Sequence, residues 1–207
     1  MKCSAQLLMA ASLSLVALSA SAATVGEVQA VRGSATATLN GQSSPLVPGS
    51  KIESGSEIQT TAQGRLKIRF IDGSVVILSD GSTLRVADFT VDDSNRRKSA
   101  RFELDIGLIS QRVAPSENGS WNVKTPTVVT AVRGTEYIIE VKPDTGTDVS
   151  IQSGAVSVNS LKKTRALPVI LKTTNAGTNC DAEGTCSPAK EWKEERLKAI
   201  QDRLGGF

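Results

Sequence analysis

Cys180 and Cys186 are the residues whose spacing most clearly points to covalent chemistry. Asp-Ala-Glu-Gly-Thr separates them, and Gly184 lets so short a loop turn back. In an oxidising compartment they are expected to form a disulfide, which would stiffen this corner of the molecule rather than the whole domain. Asp181 and Glu183 in the same loop could be calcium ligands. They lack an Asp-x-Asp-x-Asp-Gly pattern, so they read as solvated turn residues. The remaining chemistry is narrowed by what is missing. The 207 residues contain no histidine. The usual general base near neutral pH and the commonest metal ligand are therefore absent. A Ser-His-Asp or Cys-His apparatus is ruled out, and three cysteines are too few for a four-cysteine zinc site. Paired carboxylates or a Ser-Lys pair survive the count, but no spacing points to either. No catalytic, metal-binding or cofactor-binding residue is expected, and the chain is not expected to be an enzyme.

The formal net charge is +3, near balance, which argues against nucleic acid as a partner. The clusters Arg96-Arg97-Lys98 and Lys162-Lys163 read as solvated loop charge.

Residues 1–23 have the pattern of a signal peptide. Lys2 supplies a positive start, Leu7 to Leu18 is apolar, and Ala20-Ser21-Ala22 is a small-residue cleavage signal. Cleavage is expected after Ala22 or Ala23. Cys3 precedes the apolar stretch, so it is not placed to carry a lipoprotein's lipid. The mature chain has no second apolar run to serve as a transmembrane segment, and it is expected to be periplasmic or secreted.

The rest of the chain must position whatever site exists, and it reads as strands. With four Phe, two Trp and one Tyr, small aliphatic residues must fill most of the core. Asn40-Gly41 is a strong hairpin signal. Arg65 to Ile71 alternates Leu66, Ile68 and Phe70 with basic residues. Asp72-Gly73 and Asp80-Gly81 then join three strands in close succession. Residues 88–100 read as an exposed loop, and Gly107 interrupts the next strand. Val128–Val132 and Tyr137–Val141 flank Arg133-Gly134-Thr135, Ser153-Gly154 makes another turn, and Leu167–Lys172 suggests a last strand. Only the tail is helical in pattern. Ser187 would be its N-cap and Pro188 its first residue. Trp192, Arg196, Leu197, Ile200 and Leu204 form a narrow stripe expected to dock on the β domain, and Gly205 would end the helix.

Several of these pieces, in order, resemble the FecR domain family. Gly55 to Thr60 fits a Gly-acidic-x-Ile-x-Thr step, Asp72-Gly73-Ser74 its Asp-Gly-Ser turn, and Gly107-Leu108-Ile109 a Gly-x-hydrophobic piece. Thr125-Pro126 followed by apolar residues and Arg133-Gly134-Thr135 resembles the family's most diagnostic stretch. Gly154-Ala155-Val156-Ser157-Val158 resembles its closing strand. The resemblance spans about residues 25–160. It implies an all-β domain of short strands, a β-solenoid or rolled sandwich, with one C-terminal helix. The expected organisation is residues 24–160 as the FecR-like domain and 161–207 as an extension with the small disulfide loop and the helix.

The motif residues Asp72, Gly73, Ser74, Thr125, Pro126, Arg133, Gly134, Thr135 and Gly154 are expected to be architectural. Arg133 is expected to turn its guanidinium to carbonyls or to a carboxylate such as Glu136 or Asp105. Family regulators carry a cytoplasmic anti-sigma segment ahead of a transmembrane helix, whereas here six residues precede the hydrophobic stretch. What the resemblance implies is an extracytoplasmic module that binds a protein partner in envelope signalling or assembly. The alternative is binding of envelope polysaccharide or peptidoglycan. That needs exposed aromatic platforms, for which only Trp121, Tyr137 and Trp192 are candidates.

Overall fold

The computed structural model describes residues 23–162 and 165–205. Apart from Ala23, the signal peptide read over residues 1–23 lies outside them, as does Lys163. In chain order the strands are β1 (Thr24–Arg32), β2 (Ala35–Leu39), β3 (Gln42–Pro45), β4 (Lys51–Glu53), β5 (Glu57–Thr60), β6 (Arg65–Phe70), β7 (Val75–Leu78), β8 (Thr83–Val91) and β9 (Arg97–Arg112). There follow β10 (Ser120–Lys124), β11 (Val128–Val132), β12 (Glu136–Lys142), β13 (Gly146–Ser153), β14 (Val156–Ser160), β15 (Val169–Leu171), β16 (Ala176–Cys180), β17 (Lys190–Glu191) and the helix α1 (Glu194–Leu204).

Their pairing gives two layers. One runs β4-β1-β6-β7-β9-β12-β13-β16-β17, antiparallel throughout. The other runs β3-β2-β5-β8-β9-β10-β11-β14-β15, antiparallel except for the parallel β9–β10 pair. Hairpins β6–β7, β10–β11, β12–β13 and β14–β15 fall alternately in the first and second layers. The result is a rolled, open-edged sandwich with a helix, the all-β class expected.

Alternation explains the core. Leu66, Ile68 and Phe70 of β6 point inward and are buried, as are Leu84 and Val86 of β8 and Val156 and Val158 of β14. The few aromatics are concentrated. Phe70, Phe89, Phe102 and Trp121 form one cluster with ring centroids 4.6 to 6.4 Å apart. Each such contact contributes about 0.5–1.5 kcal/mol beyond its area burial. Beside them, Gln111 Oε1 accepts from Trp121 Nε1 at 2.8 Å and from the Tyr137 hydroxyl at 3.3 Å. Burial pushes the Tyr137 hydroxyl above its ordinary pKa, against weaker opposing pulls from Thr130 and Gln111.

Asn40 and Gly41 both have positive φ, 51° and 79°, the backbone of a two-residue hairpin between β2 and β3. Three expectations are corrected. The exposed loop read over 88–100 shrinks to residues 92–96, because β8 reaches Val91 and β9 begins at Arg97. Gly107 does not end its strand. With φ of +105° it bends β9, so the first part pairs in one layer with β8 and β10 and the rest in the other with β7 and β12. A Cβ there would lie 2.4 Å from Ser82 Cα, so the crossing needs glycine. The helix starts at Glu194, with Lys193 rather than Ser187 at its N-cap. The Ser187 hydroxyl instead accepts from the Asn179 N–H at 3.1 Å, closing the chain onto β16.

The helix lies on the outer face of the first layer. Trp192, Ile200 and Leu204 pack with Leu108 and Ile138, apart from the sandwich interior. Ions fasten it: Arg203 reaches Asp80 at 3.2 Å and also Glu140, and Arg196 reaches Asp148 at 2.7 Å. Burial alone would raise the Asp80 carboxyl, but the Ser79 hydroxyl and the Arg203 guanidinium outweigh it and hold it below its ordinary value.

Candidate functional site

The motif residues gather mainly at one end of the sandwich. Asp72-Gly73-Ser74 forms the β6–β7 turn, in which the Gly73 N–H donates to the Phe70 carbonyl at 3.0 Å. Asp72 Oδ1 accepts from the Ser74 N–H at 2.9 Å and Oδ2 from the Ser74 hydroxyl at 2.8 Å. This short polar turn is held by Arg97, the first residue of β9, whose guanidinium forms an ion pair with Asp72. The two side chains are 1% and 3% exposed. Arg97 also donates to Ser74 Oγ at 3.2 Å and to the Ala114 carbonyl at 2.9 Å, and it lies 5.3 Å from the Trp121 ring centre. The Ala114 N–H completes the cluster by donating to Ser74 Oγ at 3.0 Å.

Arg97 is therefore no solvated loop charge. Its neighbour Arg96 is exposed and pairs with Asp92 at 2.7 Å. What separates the two is the folded strand: Arg96 lies in the turn before β9, whereas Arg97 begins β9 and is buried with Ala100, Phe102 and Leu104 after the strand's local adjustment near its start.

The Arg133-Gly134-Thr135 step is the corner where the chain passes from β11 in the second layer to β12 in the first. Gly134 has φ of +65°, and a Cβ on it would sit 3.1 Å from Pro115 Cα. Thr135 is buried. Its carbonyl accepts from the Val113 N–H at 2.9 Å, and its hydroxyl donates to the Ala155 carbonyl at 2.9 Å, tying this corner to the next one at Gly154. Arg133 departs from expectation. Its side chain is exposed and makes no hydrogen bond or ion pair among the described residues. Of the two carboxylates expected for it, Glu136 pairs instead with Arg112 at 3.0 Å, and Asp105 forms no ion pair with it.

Thr125 and Pro126 lie at the opposite end, in the β10–β11 turn. The buried Thr125 hydroxyl accepts from the Val128 N–H at 3.1 Å and bonds the Thr147 hydroxyl at 2.9 Å. Exposed Pro126 needs no donor there. Cys180 and Cys186 form a disulfide near this end. Asp181 closes its loop by accepting from the Thr185 N–H at 2.7 Å, a turn-forming use of that carboxylate.

An open cleft of about 840 Å³ adjoins the Asp72–Arg97 cluster, lined also by Asp92, Arg96, Lys98 and Glu117. Its three cations face three carboxylates, and two of those pairs are closed ion pairs. Among the described residues no group of three or more Cys, Asp or Glu side chains is placed to hold a metal ion. The cluster is built to hold strands in place.

Fold and cluster together define a mostly antiparallel β-sandwich domain with buried polar fastenings at its turns and a helix on one face. Residues 56–157 match the family described as FecR protein, and the chain carries a FecR domain. A crystal structure of a “putative anti-sigma factor” from Parabacteroides distasonis ATCC 8503 superposes with a TM-score of 0.57 at 20% identity, covering 69% of this chain and 63% of that one. A second crystal structure of a protein so described, from the same organism, gives 0.57 and 20%, covering 69% and 62%. At that identity the likeness is one of fold, and this chain spans less than two thirds of those chains' length. No curated protein matches the chain.

Proposed function

We propose that this is an exported bacterial FecR domain protein, periplasmic or secreted, that works by binding another protein in envelope signalling or assembly. The observation that carries the reading is the FecR domain over residues 56–157, set in a fold shared with the anti-sigma-type protein. The disulfide fits an oxidising compartment. The polysaccharide reading is weakened by the aromatics: Trp121, Tyr137 and Trp192 are all 5% exposed or less, so none offers a stacking platform.

Affinity capture with the tagged exported protein from an envelope extract tests this. One stoichiometric protein partner supports it, whereas retention on purified murein without a protein partner overturns it. Cell fractionation with intact mass tests export. The reading expects a chain beginning at Ala23 or Thr24 without an acyl group, and a cytosolic full-length chain contradicts it.

A further inference from the structure

One side of the sandwich ends in two strands that no further strand covers among the described residues, β15 in the second layer and β17 in the first. β15 pairs with β14 along one side only. An uncovered edge displays backbone donors and acceptors that can accept another strand. Here it also displays apolar side chains: Ile170 in β15 is 43% exposed and Leu167, just ahead of it, 90%. Two open grooves of about 410 Å³ each meet at Ile170. One lies along the second layer among Ala131, Ala155 and Ser157, and the other between β15 and the β16–β17 end among Ala176 and Ala189. Small side chains in both leave room for larger apolar ones.

The charge around them is uneven. Arg133 borders the first groove, and Lys172 and Lys190 border the second. None of the three makes an ion pair among the described residues, and Glu191 is the one carboxylate lining either groove. A second copy of this chain paired through β15 would set these cations against their own counterparts. An acidic strand would meet complementary charge.

We propose that β15 is the docking edge for an extended acidic and apolar segment of a protein partner. The segment adds to the second layer as a further strand, places apolar side chains in the grooves beside Ile170, and sets its carboxylates against Lys172 and Lys190. The proposal rests on the protein-binding reading above.

The probe is a pair of end-blocked peptides, Val-Glu-Ile-Asp-Val-Glu-Ile and Val-Lys-Ile-Lys-Val-Lys-Ile, titrated into the isotope-labelled mature chain and followed by amide NMR. The acidic peptide is expected to shift and protect the amides of residues 169–171 and to bind at least about tenfold more tightly than the basic one. Ile170→Lys should weaken it, and Lys172→Glu combined with Lys190→Glu should reverse the preference. Equal binding of both peptides, or shifts centred elsewhere, overturns the proposal. Envelope capture separates the two claims. A protein partner held equally well by wild type and Ile170→Lys defeats the docking edge and leaves the protein-binding reading standing. Binding of the acidic peptide at β15 with no protein captured supports the edge and defeats that reading.

Discussion

Replacing Arg97 with alanine should cost far more than replacing Arg96, although the two are adjacent. Arg97→Ala leaves the Asp72 carboxylate, 3% exposed, without its counter-charge and the Ala114 carbonyl without one donor. It also removes a cation from beside the Trp121 ring. Breaking a buried pair by deleting one partner typically costs about 3–5 kcal/mol, because a desolvated charge is stranded. For a domain of this size each kcal/mol moves the melting temperature by about 2–4 °C, so a fall of about 6–20 °C is expected. Arg96→Ala removes only an exposed pair and should leave the midpoint unchanged. Urea unfolding followed by tryptophan fluorescence, alongside thermal melts, measures both variants. Arg97→Met combined with Asp72→Asn should recover part of the loss, since no charge is then left buried. If Arg97→Ala and Arg96→Ala unfold together, the Asp72–Arg97 pair does not hold this end of the sandwich.

Gly134→Val should lower stability by about 1–3 kcal/mol, since it combines a positive φ with a Cβ pressed on Pro115, whereas Arg133→Ala should melt like wild type; a calorimetric scan compares them. The Asp80 carboxyl is held below its ordinary value, so its contribution to helix docking is complete above about pH 4 and is lost as pH falls through its lower folded value. The Trp192 indole NMR signal should therefore move on acidification in the wild type and lose that acid step in Arg203→Ala. Thiol labelling of denatured, unreduced mature protein should find no free cysteine, and reduction should cost at most about 2 kcal/mol because the closed loop is so short.

What could be read in advance was local. Asn40-Gly41 and Asp72-Gly73 are turn signals whose chemistry lies in two adjacent residues, and both turns are present. The alternation of Leu66, Ile68 and Phe70 likewise carries its own burial. The tail's stripe was visible, but Ser187-Pro188 imitates a helix start, and only the β16 contact shows where that hydroxyl goes. β16 itself, Ala-Gly-Thr-Asn-Cys, has no apolar period to betray a strand, and β17 is two charged residues long. At the candidate site the motif turns were legible, while Arg97 was not. Its partner lies 25 residues away, and no local pattern distinguishes it from the exposed arginine beside it.

Strand β9 gives the two layers sixteen residues of a single unbroken backbone. In a sandwich whose layers are joined only by loops, one layer can slide across the other like a pair of plates, the shear motion by which many packed layers respond to ligands. Here such sliding would have to tear the ladders that β9 makes with β8 and β10 on one side of Gly107 and with β7 and β12 on the other. The sandwich is thus pinned through its middle like a riveted joint. A force or a ligand applied at one edge loads the whole body at once, and any conformational message it sends must leave through the parts fastened from outside, the helix and the turns at the two ends.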